Sequence, residues 1–276
     1  MSTTAELLQE LSENSGKLQT LNNRLEGILG SGGTGNRRAL DYDLFWNTFQ
    51  DFGNRAYYNY AFANHSFSKD TFYPKYNISF GGSTATMCFN NFFGRVNYDP
   101  SLLFNLKQRL DECGVTFTTA DATTVTRIFS FSYYFTEVPS VDLSGVEGTS
   151  VATIYYFCHY LETAGTLKVK ETITVYDQCF SECFHLKNIV IEGTIAGDGI
   201  DLSWSSVLTK ASIESFINAL STATSGKTIT FSLDAVNKAY ETSTGANDGS
   251  TSAEWSAKKA TRNNWIILAS LPPEGE

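Results

Sequence analysis

The 276-residue chain is 42% apolar and 14% aromatic, which is ample for a buried core and excludes a disordered chain. Its formal net charge is −9 and its only basic pairs are Arg37-Arg38 and Lys258-Lys259, so nucleic acid is not an expected partner. No window of about 18 apolar residues occurs, so no membrane insertion is expected; Met1 to Leu8 lacks the basic start and apolar core of a signal peptide, so synthesis in a cytoplasm, and release by lysis or assembly, is expected.

From Thr4 to Ile28 the residues fall on a heptad, with Thr4, Leu11, Leu18 and Leu25 at a and Leu7, Asn14, Leu21 and Ile28 at d. This spacing predicts a short parallel coiled coil, with a homotrimer preferred and Asn14 as a polar register layer. The alternative is one amphipathic helix lying on the body of its own chain. Gly30-Ser31-Gly32-Gly33-Thr34-Gly35 then forms a flexible joint; a phosphate loop is disfavoured because GxxxxGK[ST] is absent.

Residues 41 to 78 are dense in aromatics, and Leu44, Phe45, Phe49 and Phe52 have helical spacing. This segment is expected to cap the end of a stacked structure. Its wording, DYDLFWNTFQDFGNRAYYNYAFANHSFSKDTFYPKYNI, resembles the opening of leucine-rich repeat proteins encoded by phages of gut Firmicutes. Ile78-Ser79-Phe80 and Met87-Cys88-Phe89 read as degenerate early repeats. A helix follows at about Pro100 to Cys113, with Leu102, Leu103, Leu106 and Leu110 on one face and Gly114 ending it.

Between Val125 and Leu208 one spacing occurs four times: Phe129-Ser132-Phe135, Tyr155-Cys158-Leu161, Phe180-Cys183-Leu186 and Leu202-Ser205-Leu208. A period of about 25 residues belongs to a solenoid. Three copies are followed by a short alternating strand, Val141-Asp142-Leu143, Leu167-Lys168-Val169 and Ile189-Val190-Ile191, whose middle residue faces out. The pattern resembles the BspA-type leucine-rich repeat, F-x-x-C-x-x-L-x-x-I-x-I, which Phe180, Cys183, Leu186, Ile189 and Ile191 reproduce in full. Phe129, Phe135 and Leu161 join these five as expected repeat core.

After Leu208, Thr209 can cap a helix carrying Ile213, Phe216, Ile217 and Leu220. A strand at Thr228 to Phe231, a helix around Leu233 to Tyr240, a loop over Glu241 to Ser252, a helix near Ala253 to Asn263 and a strand at Trp265 to Leu268 complete the chain. The stretches LTKASIESFINAL, SGKTITFS, AVNKAY and WSAKKATRNNWIILA resemble the C-terminal cap of the same phage and Firmicutes proteins.

The expected fold is thus an α/β solenoid of BspA-type leucine-rich repeats, with a helical and aromatic N-terminal cap and an α/β C-terminal cap, preceded by a coiled-coil helix. Its parts are 1–29 (coiled-coil and virion-attachment helix), 30–40 (Gly-rich linker), 41–124 (aromatic cap and degenerate repeats), 125–208 (repeats) and 209–276 (C-terminal cap).

Catalytic signals are sparse. The five cysteines, Cys88, Cys113, Cys158, Cys179 and Cys183, form no CxxC pair, and Cys158 and Cys183 occupy a repeat column. A zinc site from Cys179, Cys183 and His185, a nucleophile pair from Cys158 and His159, a carboxylate pair among Asp142, Glu162, Asp177 and Glu182, and a cation at Asp198 and Asp201 are each weaker than the structural explanation of the same residues. No cofactor, metal or enzymatic activity is expected. Tyr133, Tyr134, Tyr155, Tyr156 and Tyr160 form the candidate ligand surface, either stacking on sugars or packing on protein, or else filling gaps between repeats. The resemblance implies a phage virion protein of tail-fibre, receptor-binding type, joined to other virion proteins through its N-terminal helix and directed at a host-surface glycan or protein. The alternatives are a structural head-fibre or decoration protein and a bacterial surface adhesin.

Overall fold

Apolar and polar residues alternate over only a few positions at a time, and the strands are correspondingly short. The computed structural model describes residues 72–74, 77–80, 84–92, 99–241 and 252–272, all of them in the unit Asp41–Glu276. The heptad positions Leu7, Leu11, Asn14, Leu18, Leu21, Leu25 and Ile28, the linker 30–40, most of the aromatic segment and most of the Glu241 to Ser252 loop lie outside the described residues.

In chain order the elements are β1 (Thr84–Thr86), β2 (Phe104–Asn105), α1 (Leu106–Glu112), β3 (Thr124–Thr126), β4 (Phe135–Glu137), β5 (Val141–Asp142), β6 (Ser150–Ala152), β7 (Thr163–Lys168), β8 (Val175–Asp177), β9 (Asn188–Glu192), β10 (Ile200–Leu202), α2 (Lys210–Ala219), β11 (Thr228–Ser232), α3 (Leu233–Tyr240), α4 (Ala253–Ala260) and β12 (Ile266–Ser270). They make a mixed α/β fold with three parallel sheets, ordered β1-β3-β6-β8, β10-β11-β12 and β2-β4-β7-β5 with β9 paired to β7. Registers include Thr126 on Ala152, Ala152 on Asp177, Val141 on Leu167 and Leu167 on Ile191.

One turn geometry follows β1, β3, β6 and β8. Each copy holds two non-glycine residues at positive φ: Met87 and Asn91, Arg127 and Phe131, Thr153 and Phe157, Gln178 and Glu182. A left-handed residue costs roughly 1–2 kcal/mol, and the turns offset this through hydrogen bonds to the next copy. Phe129 N–H donates to Ile154 O at 3.0 Å and Phe131 N–H to Tyr156 O at 2.8 Å, and Tyr155 and Phe157 repeat both bonds to Cys179 and Ser181. The aromatic residue at the centre of each turn points inward. Phe89, Phe129, Tyr155 and Phe180 stack at centroid spacings of 5.8, 5.9 and 5.6 Å. Each buried ring of this kind contributes roughly 1.5–3 kcal/mol. Phe129, Phe135, Leu161, Phe180, Cys183, Leu186, Ile189 and Ile191 are all buried.

The Ser or Cys three residues after Phe129, Tyr155 and Phe180 has a definite task. Cys158 Sγ donates to Phe129 O at 3.0 Å and Cys183 Sγ to Tyr155 O at 3.1 Å, while Ser132 Oγ donates to Phe89 O. Small donors fit there because the acceptor is a buried carbonyl of the preceding copy. The Leu202-Ser205-Leu208 copy departs: Ser205 Oγ donates to Cys183 O at 3.2 Å, and neither Ile200 nor Trp204 has positive φ.

Helix α2 closes the free edge of β9. Ser212 Oγ accepts from Ile189 N–H at 3.0 Å and Ser215 Oγ from Ile191 N–H at 2.8 Å, so two donors of the last strand are satisfied by helix side chains. Thr209 caps the helix by accepting from Ser212 N–H. Behind it α4 buries Trp255 completely, its ring 6.3 Å from Phe231 and 5.0 Å from Tyr240.

Two helix boundaries differ from expectation. The Pro100 to Cys113 segment is a 3-10 turn at Pro100–Leu102, the two-residue β2, and only then α1, because Asn105 Oδ1 accepts from Gln108 N–H and starts the helix there. Leu103 is exposed as a result. The last helix stops at Ala260, where Thr261 Oγ1 donates to Lys258 O and the chain turns into β12.

Candidate binding cleft

Three segments converge on an open cleft of about 630 Å³. Tyr156 enters from the turn after β6, Val175, Tyr176, Asp177, Gln178, Ser181 and Glu182 from β8 and its turn, and Asp198, Gly199, Asp201 and Trp204 from the chain around β10. The left-handed Gln178 and Glu182 set the course of the middle wall. Asp198 sets the other: its backbone pairs with Val175, while its Oδ1 accepts from Gly199 N–H and Thr228 N–H, both at 3.1 Å. One side chain thereby joins the β8 edge to β11. Gly199 sits at φ +88, and a Cβ there would stand 2.7 Å from Tyr176 O, so the close approach of these two walls requires glycine.

Four carboxylates line the cleft, Asp177, Glu182, Asp198 and Asp201, and no described lining residue is basic. Elsewhere, carboxylates meet lysines across neighbouring segments, Asp142 with Lys168 at 3.0 Å and Glu162 with Lys187 at 2.9 Å. Glu182 instead meets His159 Nε2 at 3.1 Å. Among the described residues Asp177, Asp198 and Asp201 have no ion-pair partner. Partial burial and the nearby Glu182 carboxylate both push the Tyr156 phenol up.

Aromatic rings continue from the cleft along the turns. Phe131 stacks on Phe157 at 5.2 Å, Tyr133 meets His159 at 4.8 Å, His159 meets Phe184 at 4.9 Å, and Phe184 meets Trp204 edge-on at 5.5 Å. A second row runs from Tyr134 to Tyr160 at 6.0 Å and on to His185 at 5.2 Å. Most of these rings are half-buried.

Of the five candidate surface tyrosines, Tyr133, Tyr156 and Tyr160 are half-buried; Tyr133 and Tyr160 belong to these rows, and Tyr156 meets Phe131 at 5.3 Å and Phe157 at 4.3 Å, both edge-on. Tyr134 and Tyr155 are corrections, since both are buried. Tyr155 takes the inward aromatic position of its turn between Phe129 and Phe180, and Tyr134 stacks under Tyr160 while its hydroxyl accepts from Asp99 N–H. Phe131, Phe157, His159, Phe184 and Trp204 are additional members. The signal for them is in the four copies themselves. Phe131, Phe157 and Trp204 lie two residues after the inward ring or its Leu counterpart, and Tyr133, His159 and Phe184 lie four after it.

Chemistry at the other candidates is constrained. Cys158 is buried and its thiol is pushed well up by burial, while His159 is engaged by Glu182. The pair is not set up for nucleophilic attack. Burial pushes the Cys179 thiol up to about 12, the Cys183 thiol is buried likewise, and His185 Nδ1 contacts His159 O at 2.7 Å. No group of three metal-ligating side chains exists among the described residues, Asp198 and Asp201 included. Of the four carboxylates singled out in sequence, only Asp177 and Glu182 reach the cleft.

No helix among the described residues is long and apolar enough to cross a membrane. Comparison with known proteins gives no matching family model, no significant match among curated proteins and none among solved structures.

Proposed function

We propose that this chain is a non-enzymatic virion protein of a phage infecting gut Firmicutes, made in the host cytoplasm, whose body recognises a glycan or protein on the host surface. The body is a solenoid of BspA-type leucine-rich repeats between an aromatic N-terminal cap and an α/β C-terminal cap. Three features support the repeat assignment: the recurrent turn with its paired left-handed residues, the inward stack of Phe89, Phe129, Tyr155 and Phe180, and the Ser or Cys bond from each copy to the one before. The phage assignment is supported by the wording of the segments after Asp41 and after Leu208.

Recognition is carried by one observation above the others, the half-buried aromatic rows that end in an acidic cleft. Half-buried rings held in place by their neighbours present apolar area to a ligand at little entropic cost. The heptad from Leu7 to Ile28 would gather three copies and attach them to the particle, multiplying a weak contact by avidity. Competition is the test. Full-length protein should reduce adsorption of the phage that encodes it. If it binds virions and leaves adsorption unchanged, a structural head-fibre or decoration role replaces receptor binding.

A further inference from the structure

The cleft also constrains the class of ligand. Three observations bear on it: two half-buried rings, three carboxylates without an ion-pair partner, and room for on the order of twenty water molecules at about 30 Å³ each. Among the described residues, the Trp204 indole N–H, the Tyr156 hydroxyl and the Gln178 amide make no hydrogen bond within the protein. A ligand that uses the cleft therefore offers an apolar face to a ring and hydrogen-bonding groups to its rim. It carries no negative charge, because four carboxylates and no described cation line the walls.

The carboxylates narrow the choice further. Facing acids on neighbouring segments are neutralised by lysines at Asp142 and Glu162, and this pairing stops at the cleft. A bare metal ion does not fit, since the acids do not converge as a ligand set. An ammonium group on a larger, ring-shaped ligand does. A lone lysine side chain would leave most of the volume empty and the Trp204 face unused, whereas an amino sugar supplies the flat C–H face, the hydroxyls and the charge together.

Resting on the recognition role proposed above, we infer that the cleft is a subsite for an amine-bearing saccharide, its ring stacked on Trp204 and its ammonium held by Asp177 and Asp201. Asp198 serves mainly to hold the wall, because its Oδ1 accepts from both Gly199 and Thr228 N–H, whereas Asp201 Oδ1 accepts one such bond, from Ser203 N–H at 2.9 Å.

The test is titration calorimetry of the full-length protein with glucosamine tetramer at mildly acidic pH, beside its fully N-acetylated counterpart, neutral cellotetraose and tetralysine. Glucosamine tetramer should bind at least tenfold more tightly than the other three and weaken as salt is raised. Asp177→Asn, an exposed and conservative change, should cost about tenfold at unchanged thermal stability, and Trp204→Ala should cost at least as much. Equal binding of the acetylated or neutral tetramer, equal binding of tetralysine, or no binding of glucosamine tetramer each overturns the inference. Binding to host envelopes is measured in parallel. Envelope binding without glucosamine binding removes this ligand class and leaves the recognition role, while the reverse removes the recognition role alone.

Discussion

The thiol of Cys183 donates a hydrogen bond to the carbonyl of Tyr155 at 3.1 Å, one copy of the turn back along the stack, and Cys158 makes the same bond to Phe129. The same carbonyls accept a turn bond from Cys158 N–H and Ser132 N–H, so the side-chain donor reinforces an acceptor already partly satisfied. Cys183→Ser should therefore be tolerated, as the serine at 132 shows a hydroxyl can do the work. Cys183→Ala should lose about 1–2 kcal/mol through the missing bond and the small void. Denaturant unfolding of the two variants checks this; equal losses would contradict the role assigned to the donor.

Thiol labelling gives a second expectation. Cys88, Cys158, Cys179 and Cys183 are buried and Cys113 is partly exposed, and burial drives the four buried thiols up, away from the reactive thiolate. Native protein should react with Ellman's reagent at one thiol, and all five should react after denaturation.

Ser212→Ala should destabilise by about 1–3 kcal/mol, far more than an average surface serine. It removes the acceptor of the buried Ile189 N–H and the donor to Lys187 O, reopening the edge of β9. Calorimetric unfolding measures the loss, and hydrogen exchange at Ile189 should accelerate with it.

His159 gives a pH dependence. Burial lowers its pKa below the ordinary value of about 6.5, against the opposing pull of Glu182 and with help from His185. The unfolded chain then binds this proton more readily than the folded one. Its contribution is thus complete above the ordinary histidine range and is lost as pH falls through it. Between pH 7.5 and 5.5 the wild-type melting temperature should fall further than that of His159→Gln. An identical fall in both would exclude His159 as the group responsible.

How much of this is legible in sequence varies by element. Helix α2 and its Thr209 cap, helix α3 and the strands at Val141, Leu167 and Ile189 follow from spacing alone, because local propensity and tertiary burial agree there. The start of α1 is not legible, since Leu102 and Leu103 continue a helical stripe and only the Asn105 cap moves the boundary. Tyr155 is ambiguous for a different reason: a tyrosine is suited to either face, and its inward position follows only from equating it with Phe129 and Phe180. The cleft is the least legible part. Tyr156, Asp177, Asp198 and Trp204 are far apart in the chain and meet because parallel pairing aligns β8 with the Asp198 segment, a relation that composition does not carry.

The proposed binding of the aromatic and acidic face to the host surface is decided by equilibrium binding to isolated envelopes of gut Firmicutes strains. Purified full-length protein is compared with a Tyr156→Ala/Trp204→Ala double variant of equal thermal stability. Wild-type protein should bind at least one strain saturably, and the variant should lose tenfold or more in affinity, about 1.4 kcal/mol. Binding by neither protein to any strain, or equal binding by both, would contradict it.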